Sequence, residues 1–487
     1  MRLNSERNAV ASNEFELLDA TAQAELVRSA QVKPSELVET AMARIEQVDP
    51  AVNAVVAGVP EERRLASPSK RDAPFAGVPF LLKDLIDRFA GVPLTEGSAY
   101  LKSYVPTRDS ELVERLERAG LRIIGKTNTP EFGIMGTTEP RLFGPTRNPW
   151  AIDRSAGGSS GGAAAAVAAG MVPMAHASDA AGSIRIPASC CGVFGLKPTR
   201  GRVPVDPERA DVPSGLWTEH AVTKSVRDSA ALLDALSSPP DGDRSRPEDR
   251  PTSFCDAVRR PPGPLRIGFS SQAPTGVPVH ADCVAAVGDA AGLCEELGHH
   301  VEESAPLLDP AVLTDAFDVV WTVGIAAAID GWIEIIGRDP EPDELEPLTW
   351  ALYELGRGRS GSKLLRAGGS LDGFARQVIR FQREFDLWLT PTLGHPPPPI
   401  GWFDSTPEQP LRGYIRDGAF CPFTPIANVT GQPAMTVPLF WNRDGLPSGV
   451  QFTAHVGDER TLFGLAGQLE EARPWAARRP PLQAPTV

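Results

Sequence analysis

The chain reads Arg154-Ser155-Ala156-Gly157-Gly158-Ser159-Ser160-Gly161-Gly162 and, after an Ala-rich run from Ala163 to Ala169, Met174-Ala175-His176-Ala177-Ser178-Asp179-Ala180-Ala181-Gly182-Ser183-Ile184-Arg185-Ile186-Pro187. As local structure this is a Gly/Ser loop, a buried helix running into an apolar strand, and a second glycine-containing loop. Each loop sets a serine, Ser159 or Ser183, beside glycine, where backbone approaches a ligand closely and aims several N–H groups into one small space.

Upstream, Gly77-Val78-Pro79-Phe80-Leu81-Leu82-Lys83 and Leu121-Arg122-Ile123-Ile124-Gly125-Lys126 are short apolar runs bounded by Gly or Pro, with the helical pattern Ser110 to Ala119 between them. That alternation reads as an α/β fold. Pro34 to Ile45 has apolar residues at helical spacing behind a Pro and an acidic residue, so a helical region precedes the sheet. Downstream, Leu265 to Phe269 reads as a strand, Ala281 to Leu297 as a helix, and long helical patterns follow. Phe385 to Thr392 and Gly449 to Thr453 return to strand character, so the C-terminal part is expected to rejoin the first sheet. The Pro-, Asp-, Arg- and Ser-rich segment from Ser237 to Pro264 reads as a surface loop or junction. No internal repeat is visible.

Composition excludes several classes. Over 487 residues, 62 Asp and Glu stand against 48 Lys and Arg, a net charge of -14 without any basic block that could track phosphates. Nucleic-acid binding is disfavoured. The N-terminal residues lack the apolar core of a secretory signal, and no uninterrupted run of apolar residues is long enough for a bilayer, which reads as a cytoplasmic chain without a membrane partner. The six cysteines, Cys190, Cys191, Cys255, Cys283, Cys294 and Cys421, show no C-x-x-C spacing. Neither a zinc site nor a disulfide framework is expected, and Cys190 and Cys191 read as buried thiols.

A serine becomes a nucleophile only when a neighbouring base takes its proton. Gly157-Gly158-Ser159-Ser160-Gly161 matches the G-x-S-x-G elbow formally, yet Pro149 to Ser155 before it reads as a loop rather than an apolar strand, and no downstream histidine has a persuasive setting. Phosphate cradles of the G-x-x-x-x-G-K-[ST] or G-x-G-x-x-G type are absent, which disfavours nucleotide cofactors. A flexible linker is disfavoured by the apolar flanks. The remaining base is Lys83, at the end of a buried run, where desolvation can lower a lysine pKa by about 3 to 5 units. An ordinary ion pair with Asp84 or Asp87 stands beside that reading.

Taken together, Phe75-Ala76-Gly77-Val78-Pro79-Phe80-Leu81-Leu82-Lys83-Asp84, Gly125-Lys126-Thr127-Asn128-Thr129-Pro130-Glu131, the stretch Gly157 through Thr199, Asn428-Val429-Thr430-Gly431-Gln432-Pro433-Ala434 and Gly449-Val450-Gln451 resemble the amidase signature family in content and order. The family implies an α/β fold with a large twisted mixed β-sheet covered by helices on both faces, in one domain. Within it, 1–70 would be the N-terminal helical region, 71–236 the catalytic core, 237–420 a variable substrate-shaping region and 421–487 the part that rejoins the core.

The resemblance implies Ser183 as nucleophile, Ser159 as bridging serine behind a cis Gly158–Ser159 peptide, and Lys83 as base. It also implies an oxyanion site from the backbone N–H groups of Ala180, Ala181, Gly182 and Ser183, with no metal or cofactor. Asp179 and Arg185 are expected to support the turn, and Ser160 to bond within the relay or to backbone. One departure stands out: where the commoner string is Thr-Asp-x-Gly-Gly-Ser, this chain has Ser178-Asp179-Ala180-Ala181-Gly182-Ser183, so the loop is expected to keep a negative φ at the alanine.

The Asp-Ala-Ala-Gly-Ser string, Thr146-Arg147-Asn148-Pro149-Trp150 and Asp19 to Leu26 resemble the branch holding nylon-oligomer, cyclic aminohexanoate dimer amidases. Expected chemistry is therefore C–N hydrolysis of small uncharged amides through an acyl-enzyme on Ser183, extending to aryl amides, nylon-type oligomers and urethanes (carbamates). Two other readings stay open: the glutaminase-like A subunit of a tRNA-dependent amidotransferase, and a non-catalytic binding protein on the same scaffold. Met135, Trp321, Trp332, Phe420 and Cys421 are candidate pocket residues, and Asp404, Arg412 and Arg416 belong to a loop that could cover the site. Nothing in the sequence gives the oligomeric state.

Overall fold

A computed structural model describes residues 15–65, 72–205, 215–237 and 253–482. Among them, eleven strands make one mixed sheet. In chain order they are β1 (Val55–Gly58), β2 (Pro79–Lys83), β3 (Arg122–Thr127), β4 (Met174–Asp179), β5 (Phe194–Lys197), β6 (Thr218–Thr223), β7 (Arg266–Phe269), β8 (His300–Glu303), β9 (Leu387–Pro391), β10 (Ala434–Trp441) and β11 (Pro447–Ala454). Across the sheet the order is β1-β3-β2-β4-β6-β5-β10-β11-β9-β7-β8. The last two strands of the chain thus insert between β5 and β9, as the return of strand character near Gly449 implies. Strands β3, β2 and β4 are parallel neighbours, as are β9, β7 and β8, whereas β10 and β11 pair antiparallel with each other and with their flanking strands.

The period-2 alternation of strand side chains divides the core into two layers. On β2, Phe80 and Leu82 face one core and Leu81 the other; on β4, Met174 faces the first and Ala175 and Ala177 the second. Helices α1 (Ala20–Arg28), α2 (Pro34–Val52), α3 (Glu111–Arg118), α4 (Gly161–Ala168), α5 (Arg185–Cys191), α6 (Val226–Leu236) and α7 (Ala281–Glu296) are followed by α8 (Phe317–Ile336), α9 (Pro347–Arg357) and α10 (Gly361–Phe381), then α11 (Arg412–Phe420), α12 (Pro425–Thr430) and α13 (Glu459–Ala472). The first core takes apolar residues from α3, α6, α7 and α13, the second from α2, α4, α5 and α8, so both faces of the sheet are covered.

Helix α4 is buried at every position, because it lies between the sheet and α2, and only small side chains fit. The apolar stretch Val312–Ile336 is long and apolar enough to cross a membrane by length and composition alone. In this fold its Ile325, Ala326, Ile329 and Trp332 bury in the second core. The irregular segment expected at Ser237 to Pro264 falls mostly outside the described residues, and its described end holds the short helix Phe254–Val258.

Candidate active site

Because β2 and β4 are parallel neighbours, their C-terminal ends open on one side of the sheet. Lys83 ends β2, and Ser178 and Asp179 end β4. The Lys83 side chain is 0% exposed, and its Nζ donates to Ser159 Oγ at 2.7 Å and to Ser178 Oγ at 3.0 Å. Burial is the largest influence on this amine and lowers its pKa from 10.5 to about 7, against the opposing charges of Glu219, Asp179 and Glu96. A large share of Lys83 therefore carries a lone pair at neutral pH. Geometry sets the ion-pair reading aside: Asp84 pairs instead with Lys126 at 2.6 Å, and Asp87 accepts from Ser110 Oγ at 2.8 Å.

Ser159 follows a cis Gly158–Ser159 peptide, at a position where a side chain on residue 158 would sit 2.4 Å from the Thr137 carbonyl oxygen. Its neighbour Ser160 joins the loops: the Ser160 N–H donates to the Ser183 carbonyl at 3.3 Å, and the Ser160 hydroxyl donates to the Ser178 carbonyl at 3.3 Å. Ser183 is 9% exposed, and its hydroxyl makes no hydrogen bond among the described residues.

The turn carrying Ser183 is built around Asp179. Its carboxylate accepts from Gly182 N at 2.8 Å, Ile184 N at 3.2 Å, Asn428 Nδ2 at 2.9 Å and, by two nitrogens, from Arg185 at 2.9 Å each. Burial raises the Asp179 pKa, but the Arg185 charge and these bonds outweigh it and hold the carboxyl below its usual range. Arg185 in turn donates to Gln451 Oε1 and Asn428 Oδ1, both at 2.6 Å, tying the turn to β11 and α12.

This corrects one expectation. The Gly182 N–H is engaged by Asp179, so it leaves the set expected around an oxyanion, while the N–H groups of Ala180, Ala181 and Ser183 form no protein hydrogen bond among the described residues. Ala181 is absent from the positive-φ residues, which explains how alanine replaces glycine there, whereas Gly182 has φ 135°. A Cβ on Gly182 would lie 2.3 Å from Thr424 Oγ1, the hydroxyl that anchors the turn by donating to the Ala181 carbonyl at 2.7 Å. Gly182→Ala is accordingly expected to lower kcat/KM by about 100-fold by displacing this turn. Steady-state rates measured beside a thermal melt check this, and a wild-type rate would refute it.

A cavity of about 660 Å³ opens at Ala181. Ile134, Phe317, Trp321 and Cys421 give it an apolar wall, in which Phe317 and Trp321 stack at 5.6 Å. Its polar groups are Asp318, Arg359, Tyr414 and Asp417 among others; Arg359 donates to Asp318 at 2.7 Å, and Asp417 accepts from Gly136 N at 3.1 Å. Of the predicted pocket residues, Trp321 and Cys421 line this cavity. Met135 lines a separate one of about 260 Å³, next to Asp404. Trp332 is buried and donates to Glu96 at 3.0 Å, and Phe420 is buried against Phe403. Trp332 and Phe420 thus sit in the core, as large apolar residues do more often than they line pockets. Arg412 and Arg416 fold back onto the carbonyls of Asp404 and Trp402, which pins the loop they belong to.

Beneath Lys83 lies a polar cluster that sequence reasoning missed. The Lys83 backbone N–H donates to His176 Nδ1 at 3.3 Å, and His176 Nε2 meets Glu219 Oε2 at 2.9 Å. Asp87 also faces this ring, at 3.7 Å. Both ring nitrogens are engaged by protein, so a cation would have to break the Glu219 bond to be held here. The polar residues His176 on β4 and Glu219 on β6, set within otherwise buried strands, were the one available signal, and they do not reveal which polar residues meet.

The described geometry can be set beside known proteins. The family model described as Amidase matches residues 36–463. The 6-aminohexanoate-cyclic-dimer hydrolase of Paenarthrobacter ureafaciens is 40% identical over 483 residues, covering 96% of this chain and 97% of that one. A solved structure of 6-aminohexanoate cyclic dimer hydrolase complexed with substrate superposes with a TM-score of 0.90 at 39% identity, covering 96% and 99% of the two chains. A bacterial aryl acylamidase structure gives a TM-score of 0.83 at 28% identity, covering 96% of this chain and 99% of that one.

Proposed function

The chain belongs to the amidase signature family and is an amide-hydrolysing enzyme, and from that premise we propose that it cleaves small uncharged amides by way of an acyl-enzyme on Ser183, with Ser159 and Lys83 as its proton relay. The observation that carries this is the fully buried Lys83 amine bonded to Ser159 at 2.7 Å.

In the proposed sequence Ser183 Oγ attacks the amide carbon, its proton passes to Ser159, and the Ser159 proton passes to Lys83 Nζ. The carbonyl oxygen, now negative, is met by N–H groups of the turn at Ala180, Ala181 and Ser183. As the C–N bond breaks, Ser159 gives its proton to the leaving nitrogen and recovers one from the Lys83 ammonium. Water then attacks the ester, loses a proton to the same relay, and releases the acid. Asp179 and Arg185 hold the turn in register throughout.

The region 237–420 supplies Phe317, Trp321, Asp318 and Arg359 to the cavity, which supports its proposed part in shaping the substrate site. A stacked aromatic wall favours planar or extended apolar acyl groups. The family relatives that act on cyclic aminohexanoate dimer and on aryl amides support compact amides of both kinds, and a carbamate carbonyl is open to the same attack. For the glutaminase reading the cavity offers Arg359, held by Asp318 at 2.7 Å, and Lys363 as counter-charges for an α-carboxylate, so glutamine belongs among the test substrates.

Amine release from cyclic aminohexanoate dimer, a matched anilide, a matched carbamate and glutamine tests the reading. The uncharged substrates are expected to exceed glutamine in kcat/KM by at least about 100-fold. Preference for glutamine would overturn the substrate class.

A further inference from the structure

We propose that Glu219, acting through His176, is a positioning residue for Lys83: it anchors the end of β2 and supplies the buried negative charge against which the Lys83 ammonium forms during the relay. This rests on Lys83 being the base.

The hydrogen bonds set the proton positions. His176 Nδ1 accepts from the Lys83 backbone N–H, so the ring proton of a neutral His176 sits on Nε2 and donates to Glu219 Oε2 at 2.9 Å. Burial keeps His176 neutral by lowering its pKa to about 4. Trp217 Nε1 donates to the other oxygen, Glu219 Oε1. Both oxygens of Glu219 are therefore acceptors, the pattern of a carboxylate. Burial is the largest influence on this carboxyl and pushes it up, to about 8 even with the Trp217 bond and the Lys83 charge acting in the opposite direction, whereas the two donated bonds favour the ionised form.

The other charged groups around Lys83 are already balanced or bonded. Asp179 is paired with Arg185, Lys126 with Asp84, and Glu96 accepts from Trp332 Nε1 and Ile86 N. Asp87 accepts from Ser110 Oγ at 2.8 Å and faces His176. Among the described residues the donors to Glu219 are the neutral Trp217 and His176, and Glu219 is the largest opposing charge acting on Lys83. An ionised Glu219 favours the ammonium over the amine, which keeps Lys83 basic enough to draw the Ser159 proton despite its burial.

The test is the pH profile of kcat/KM on one uncharged amide, for the wild type, Glu219→Gln, Trp217→Phe and Lys83→Ala. The acid limb reports the loss of the Lys83 proton. Removing a nearby negative charge lowers the Lys83 pKa, so Glu219→Gln is expected to move this limb down by about one pH unit and to lower the plateau by about tenfold because the amine is a weaker base. Trp217→Phe, which weakens the carboxylate and keeps the ring, should shift the limb the same way by less, and it carries the test if Glu219→Gln does not fold. A limb at its wild-type position in the folded variants, whatever the plateau, overturns the role of Glu219. Substantial activity in Lys83→Ala would instead overturn the base assignment itself.

Discussion

Ser183→Ala folds with a wild-type melting temperature and hydrolyses amides at least about 10⁴-fold more slowly. The two halves of this expectation come from one observation. The Ser183 hydroxyl makes no hydrogen bond among the described residues, so its removal leaves no buried donor or acceptor unpaired and costs little stability. The same freedom leaves it available to a substrate carbonyl in the proposed reaction. Lys83→Ala is expected to lose nearly as much activity at neutral pH, because it removes the partner that Ser159 meets at 2.7 Å. Amine release measured in single turnover, beside circular dichroism and a thermal melt, checks both. A rate within tenfold of wild type in either folded variant would remove that residue from the relay.

Arg185→Met is expected to be the most damaging change to the fold near the site, costing about 3 to 5 kcal/mol as well as activity. Both members of the Arg185–Asp179 pair are fully buried. Methionine keeps an unbranched apolar stem but is shorter, and it leaves the Asp179 carboxylate without its counter-charge in a dry interior. It also removes the bonds to Gln451 and Asn428 by which the turn carrying Ser183 is fastened to the C-terminal part of the sheet. Urea or guanidinium unfolding of both proteins measures the difference, and a midpoint equal to wild type would show that the network is dispensable. By contrast, the surface pair Arg259–Asp256 is open to solvent, and such pairs contribute about 0 to 1 kcal/mol.

Much of the architecture was legible because its signals are local. The apolar runs at Pro79–Lys83 and Arg122–Thr127, the buried helix at Gly161–Ala168 and the strand at Met174–Asp179 lie where composition and periodicity place them. The cis peptide before Ser159 agrees with what the family resemblance implies. The pocket was less legible. Trp321 and Trp332 sit on the same helix, yet Trp321 lines the cavity and Trp332 is buried against Tyr104, because the packing of α8 against its neighbours decides which face is which.

The sequence by itself determined an α/β chain, the two serine-bearing loops and the lysine at a buried strand end, since each follows from a contiguous run of residues and its periodicity. Tertiary structure alone decided how those groups are paired. It gave Asp84 to Lys126 and left the Lys83 amine to Ser159, turned the Gly182 N–H towards Asp179, and set Glu219 of β6 against His176 of β4 beneath Lys83. The physical reason is that charge pairing and desolvation depend on distance in space. Residues such as Arg185 and Gln451 lie far apart along the chain and meet only after the sheet has closed around them.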